Sequence, residues 1–280
     1  MTMRPLRHQE LLVTLFGLYS GPDGVLKVSS LVALMSSLGI QEGAVRSTVS
    51  RLKTRGILQR VTNDRPARYR LSDSMLDSFQ ADDKRIFAPE RSGLGEPWAL
   101  VVFSVPETER NRRYELRTEL LSQGFGFVAA GVAIAPIRLL NQALTRLRNR
   151  GLDRYIECFQ VQYGHEDRLP ERVASWWDLE ALDTQYNDFI AAYEKELLAW
   201  QTRMGQTTQL DAQERAEAFA LYVPLLTRWR RFPYRDPNIP LELLPSGWKA
   251  PQAKVLFLEL HTLLKAAAEE HAYAVSDPAT

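Results

Sequence analysis

The segment between Gly39 and Gly56 constrains this chain most. It is one helix long, it is bracketed by two glycines, and Val45, Val49 and Leu52 recur along it at helical spacing with Ala44 and Thr48 in support. Residues 41–55 therefore read as one amphipathic helix. Its apolar stripe must pack on one side, and Arg46, Ser47, Ser50, Arg51 and Thr54 share the opposite face. Upstream, His8 to Tyr19 carries a stripe of Leu11, Leu12, Leu15, Phe16 and Tyr19. Gly21-Pro22-Asp23-Gly24 is a turn, and Ser29 and Ser30 are expected to cap a second helix with Leu31, Leu34, Met35 and Leu38 inward. Downstream, Ile57 to Val61 and Ala67 to Leu71 read as two short strands. Helix, helix, tight turn, helix and hairpin is the outline of a winged helix-turn-helix.

Charge supports that outline. The whole chain is nearly neutral, with 35 basic and 34 acidic residues among 280. Its first 70 residues nevertheless hold 11 bases against 4 acids, an excess of seven. From Glu171 to Trp200 the sign reverses, with seven acids against Arg172 and Lys195. A basic head with acidic patches further along suits a nucleic-acid partner whose grip is local. Arginine makes bidentate contacts to guanine, and serine hydroxyls reach bases or phosphates. The expected DNA-binding set is Arg46, Ser47, Ser50, Arg51 and Lys53 on the helix, with Arg65, Arg68, Tyr69 and Arg70 on the hairpin. The other reading of these side chains is a solvated helix face.

The rest of the chain divides by composition. Residues 1–85 form the head, and a linker runs from Asp73 to Pro97. Residues 96–168 alternate strand and helix signals. Trp98 to Val105 is a buried strand, Thr108 to Gln123 a helix, Phe125 to Ala135 a strand or hairpin, Ile137 to Asn149 a helix and Tyr155 to Tyr163 a strand. That order predicts a ferredoxin-like α+β domain. Residues 170–280 read as helical, with Ala212 to Phe232 broken by Pro224 and a proline-rich stretch over Arg231 to Pro251.

The sequence supplies no catalytic set. The four histidines form no H-E-x-x-H pair, Gly124-Phe125-Gly126 lacks a third glycine, and no G-x-S-x-G elbow is present. The single cysteine, Cys158, sits in an apolar strand and reads as core; it excludes an intramolecular disulfide and a Cys-rich zinc site. His165-Glu166-Asp167 reads as a solvated loop rather than a metal site. No run approaches the roughly 18 apolar residues of a membrane span. The loop from Arg231 to Pro240 keeps two readings open. Its arginines and aromatics can bind an anionic, partly apolar molecule, or the loop docks helices with Arg235 and Asp236 as an ion pair.

Several of these residues carry a family likeness. Leu12 to Gly17, Val45-Arg46-Ser47-Thr48-Val49-Ser50-Arg51-Leu52 and Tyr69-Arg70-Leu71-Ser72 resemble the head of PaaX-type regulators, the repressors of phenylacetate-degradation operons. Trp177-Asp178-Leu179, Leu182-Asp183, Tyr186, Phe232-Pro233-Tyr234-Arg235-Asp236-Pro237, Leu243-Leu244-Pro245 and Trp248 fit the same family, so the likeness spans nearly the whole chain. The resemblance implies a winged helix, then a Cas2-like ferredoxin domain, then a helical C-terminal domain. It also implies a cytoplasmic homodimer on double-stranded operator DNA, released by an aryl-CoA thioester such as phenylacetyl-CoA, with no cofactor and no membrane partner. Trp176, Trp177, Arg231, Tyr234, Arg235 and Trp248 are the candidate effector residues, since a CoA thioester offers phosphates to arginines and an apolar head to aromatics. The rival reading is a nuclease-like or acyl-CoA-processing enzyme with a DNA-binding head; a nuclease-like fold does not by itself carry activity.

Overall fold

The computed structural model describes residues 3–61, 67–73, 75, 86–87, 91–207 and 209–276. The chain forms two compact units. One comprises Met1–Phe87, Asp188–Arg230 and Gln252–Thr280; the other comprises Ala88–Asn187 and Arg231–Pro251. The helical segment from residue 170 onward is thus shared between them.

The first unit begins with α1 (His8–Tyr19), whose stripe Leu11, Leu12, Leu15, Phe16 and Tyr19 is buried. After the turn comes a three-residue strand, β1 (Val25–Lys27), too short to announce itself by alternation. It runs directly into α2 (Val28–Ser36). The expected serine cap is absent. Lys27 is the N-cap with an extended backbone and no side-chain cap bond. Val28 N–H, one of the orphan donors of a helix start, instead donates to Ala67 O at 3.0 Å. The neighbouring strand thus takes the place of a capping hydroxyl, and Ser30 sits buried and donates to Ser276 O at 3.1 Å.

Gly39 (φ 75°) closes that helix and Gly56 (φ 70°) closes α3 (Glu42–Thr54), both in the left-handed region that glycine adopts without steric cost. On α3, Val45, Thr48, Val49 and Leu52 are buried. The strands β2 (Leu58–Arg60) and β3 (Arg68–Leu71) follow and complete an antiparallel sheet of order β1-β3-β2.

In the second unit, β4 (Trp98–Phe103), α4 (Arg110–Ser122), β5 (Gly126–Ala129), β6 (Val132–Pro136), α5 (Leu140–Asn149) and β7 (Ile156–Val161) form the expected β-α-β-β-α-β order. The sheet is antiparallel in the order β5-β6-β4-β7. Strand alternation sends Ala99, Val101, Phe103, Ala133 and Ala135 into one core with Leu116, Leu120 and Leu147 of the helices. Cys158 packs against that core, and burial pushes its thiol upward, away from the reactive thiolate. On the opposite face of β4, Trp98 meets Trp176 and Trp177 at the end of α6 (Leu169–Trp176). Trp177 donates its indole N–H to Gly124 O at 3.0 Å, and its ring lies so close to Gly126 that a Cβ there would be 2.7 Å from it.

Three long helices remain. The first, α7 (Leu179–Gln206), starts in the second unit and ends in the first; α8 (Ala212–Trp229) and α9 (Ala250–Ser276) pack against the head. Pro224 does not break α8. Proline inside a helix costs roughly 3 kcal/mol, but Tyr222, Val223, Leu225 and Leu226 around it are all buried, and their packing carries the helix through. The start of α8 is fixed by a capping box, with Glu214 N–H donating to Asp211 and Asp211 N–H donating to Glu214.

Candidate nucleic-acid interface

The buried stripe of α3 decides which side chains face outward. With Val45, Thr48, Val49 and Leu52 turned in, Arg46, Ser47, Ser50, Arg51, Lys53 and Thr54 are all exposed. The two arginines differ in their partners. Arg46 is held by Glu42 one turn earlier at 2.7 Å. Among the described residues Arg51 donates only to the neutral Thr48 Oγ1, at 3.3 Å, while the Thr48 hydroxyl itself donates to Ala44 O. Among the described residues Arg51 thus has no acidic partner, whereas the charge of Arg46 is partly neutralised by Glu42.

The sheet sorts the hairpin residues by strand alternation. Register pairs Lys27 with Arg68, Val25 with Arg70 and Gln59 with Arg70, so Arg68, Arg70 and Lys27 share one face. Tyr69 pairs with Leu26 and Arg60, and Leu71 with Leu58, on the other face; Leu26, Leu58 and Leu71 are buried there. Tyr69 is thus half-buried on the core side, apart from its two arginine neighbours. Arg70 pairs with Asp73 at 2.9 Å, and Arg68 is exposed. Arg65 lies outside the described residues. Lys27 joins the cationic face although no sequence pattern singles it out, because its strand is too short to show a period.

The candidate effector residues fall into two groups of rings in the second unit. Trp176 and Trp177 are buried against Trp98 and, for Trp176, against Tyr163. Trp248 stands edge-on to Tyr186, which stacks on Phe232 with ring centroids 4.3 Å apart. The expected ion pair between Arg235 and Asp236 does not form. Asp236 is buried and accepts from Arg91 Nη2 at 2.9 Å and from the Tyr186 hydroxyl at 3.0 Å, while exposed Arg235 donates to Gln185. The reason is geometric. The two residues follow the short 3-10 turn of Phe232–Tyr234, and the carboxylate is turned inward, where Asn238 N–H also donates to it. Arg231 and Tyr234 are half-buried beside this network. The indole Nε1 of Trp248 is buried without a hydrogen-bond partner among the described residues.

Among the described residues there is no group of three or more His, Cys, Asp and Glu side chains that could hold a metal ion, and no helix long and apolar enough to cross a membrane.

Family models match the chain in three consecutive blocks. Residues 7–75 match the PaaX-like protein model, residues 92–173 the PaaX protein central Cas2-like domain, and residues 177–274 the PaaX-like protein C-terminal domain. The chain is 26% identical over 268 residues to the transcriptional repressor PaaX of Escherichia coli strain K12, covering 94% of this chain and 82% of that relative. Among solved structures, the uncharacterized protein Rv0674 from Mycobacterium tuberculosis shares the fold. Its TM-score is 0.56 at 19% identity, with 92% of this chain and 97% of that one covered.

Proposed function

The chain belongs to the PaaX family, and from that premise we propose that it is a transcriptional repressor that binds double-stranded operator DNA. The observation that carries the reading is the exposed polar face of α3, where Arg51 has no acidic partner among the described residues. We read the head as a winged helix-turn-helix. Three helices beside a sheet of order β1-β3-β2, with β2 and β3 as the wing, support that reading. In it Arg46, Ser47, Ser50, Arg51 and Lys53 face the major groove, and Arg68, Arg70 and Lys27 lie along the backbone beside it.

The finer proposal is that the operon encodes catabolism of an aromatic compound of the phenylacetate type, and that an aryl-CoA thioester such as phenylacetyl-CoA releases the DNA. The protein would act as a cytoplasmic homodimer and perform no catalysis. Such an effector shifts the equilibrium only if it binds the DNA-incompetent state more tightly. The Trp248 N–H, without a partner among the described residues, and the exposed guanidinium of Arg235 support the effector reading for that cluster; the buried packing of Trp176 and Trp177 favours a structural role for those two.

A gel-shift titration on the duplex upstream of the protein's own reading frame tests both levels. Retardation of that duplex and not of a scrambled one is expected, with release on adding phenylacetyl-CoA. Equal retardation of both duplexes defeats the operator reading. Specific retardation that no CoA thioester reverses defeats the effector reading alone.

A further inference from the structure

A cleft of about 650 Å³ opens between the start of α1 and the C-terminal half of α3, lined by residues 6–9 on one side and by Thr48, Ser50, Arg51, Leu52, Thr54 and Arg55 on the other. Three guanidinium-bearing residues, Arg7, Arg51 and Arg55, line it together with His8, and among the described residues no carboxylate does. Arg55 donates to the neutral Gln9 Oε1 at 3.1 Å and Arg51 to the neutral Thr48 Oγ1, and among the described residues none of the three has an acidic partner. The nearby acid is already engaged. Glu10 accepts from Arg4 at 2.9 Å and from the Arg7 backbone N–H at 2.8 Å. Arg51 and Arg55, each with a neutral partner, and Arg7, with no acidic partner among the described residues, line a space too wide for a bare ion and wide enough for a phosphate with its flanking sugars. Ser50 adds a hydroxyl donor and Leu6 an apolar edge, while the Thr54 hydroxyl already donates to Ser50 O at 3.1 Å.

We infer that this cleft seats a phosphate group. On the reading of α3 as a DNA-facing helix, on which the inference rests for its source, that phosphate is a backbone phosphodiester at the flank of the bound duplex. The DNA footprint then extends past α3 onto the segment before α1, to Arg7 and Arg55, which neither the base-facing helix nor the hairpin includes. A free phosphoryl compound offers the same chemistry, and the test separates the two sources.

The experiment measures binding of the full chain to its upstream duplex and to a scrambled duplex by fluorescence anisotropy over a series of salt concentrations. Each phosphate that the protein no longer neutralises makes the slope of log K against log salt shallower by about 0.9. The double variant Arg7→Gln, Arg55→Gln should have a slope shallower by about one such step on both duplexes alike, and Arg7→Gln, Arg55→Lys should restore part of it. Unfolding midpoints of each variant by circular dichroism establish that the fold is kept. If the wild type binds its duplex, Arg51→Ala weakens that binding and the double variant keeps the full slope, the cleft inference is overturned while the DNA reading stands. If no duplex binds, inorganic pyrophosphate is the second probe. A rise in the wild-type unfolding midpoint that the double variant lacks supports a phosphate seat filled by a free compound, and no rise overturns the inference.

Discussion

The Thr227 hydroxyl of α8 lies 2.9 Å from the Thr14 hydroxyl of α1, buried and 213 residues away in sequence. The Thr14 hydroxyl donates to Glu10 O, so its oxygen accepts from Thr227, whose single proton is shared between Thr14 Oγ1 and Val223 O. With Tyr19 against Phe219 and Arg228 donating to Arg4 O, this contact fixes the first helix of the head to a helix from the far end of the chain.

Replacing either threonine by valine keeps the shape and removes one hydroxyl. Thr14→Val and Thr227→Val should each cost about 1 kcal/mol. The double variant should cost less than the two added together, because the residues touch and the second change no longer breaks a shared bond. Urea unfolding of the three variants checks this; strict additivity would show that the hydroxyls do not interact.

Arg91 and Asp236 form a largely buried ion pair, with side-chain exposures of 23% and 4%. Arg91→Met strips the carboxylate of its cation and leaves Tyr186 and Asn238 as donors. A destabilisation of about 3 kcal/mol is expected, mostly the cost of an uncompensated buried charge. Arg91→Met, Asp236→Leu should recover part of it, read again by urea unfolding.

Gly126→Ala would drive a methyl to 2.7 Å from Trp176 O and from the Trp177 ring. Backbone cannot yield as a flexible side chain does, so a destabilisation of about 1–3 kcal/mol is expected. Near-ultraviolet circular dichroism should change with it, since Trp98, Trp176 and Trp177 form one cluster.

On α3 the two arginines should differ. Arg51→Ala should weaken operator binding by about 1–3 kcal/mol, the usual worth of a bidentate base contact. Arg46→Ala should cost less, because Glu42 already holds that guanidinium. Glu42→Gln releases it and should tighten binding. Anisotropy titrations of the three variants check the order; an equal effect for both arginines would show that the Glu42 pair is broken on DNA.

Burial, with Lys265 adding to it, holds His261 below the ordinary histidine value; burial and then Arg215 do the same for His271. A lowered folded-state value means that the unfolded chain takes up the proton first. The stability these rings contribute is full above about pH 6.5 and is lost as pH falls through that value toward the folded one. The unfolding midpoint should therefore drop between about pH 7.5 and about pH 5.5, and His261→Gln should flatten that drop.

Much of this architecture is legible because it is local. Gly39 and Gly56 mark helix ends by their own backbone freedom, and Val45, Val49 and Leu52 turn the basic face of α3 outward by periodicity alone. The alternating order of residues 98–161 carries the second unit in the same way. What stays hidden depends on partners far along the chain. Ser30 looks like a cap until Ala67 supplies the acceptor for Val28 and Ser276 takes the serine hydroxyl. Asp236 looks matched to its neighbour Arg235 until Arg91 reaches it from 145 residues away. Tyr69 looks like a third member of a basic wing until the register places it with Leu26. Arg55 gains meaning only when Gln9 and Arg7 stand opposite it.

The helices that close the chain also furnish the inner wall of the head. Ser30 rests on Ser276, Ser37 meets His271 at 2.9 Å, and Phe219 covers Tyr19. Residues 1–87 excised as a stand-alone reagent would expose that lining to water and lose its rigidity. A stand-alone head has to be assembled from three separate stretches of sequence, so any event that loosens the closing helices also loosens α1 and α2, on which α3 packs.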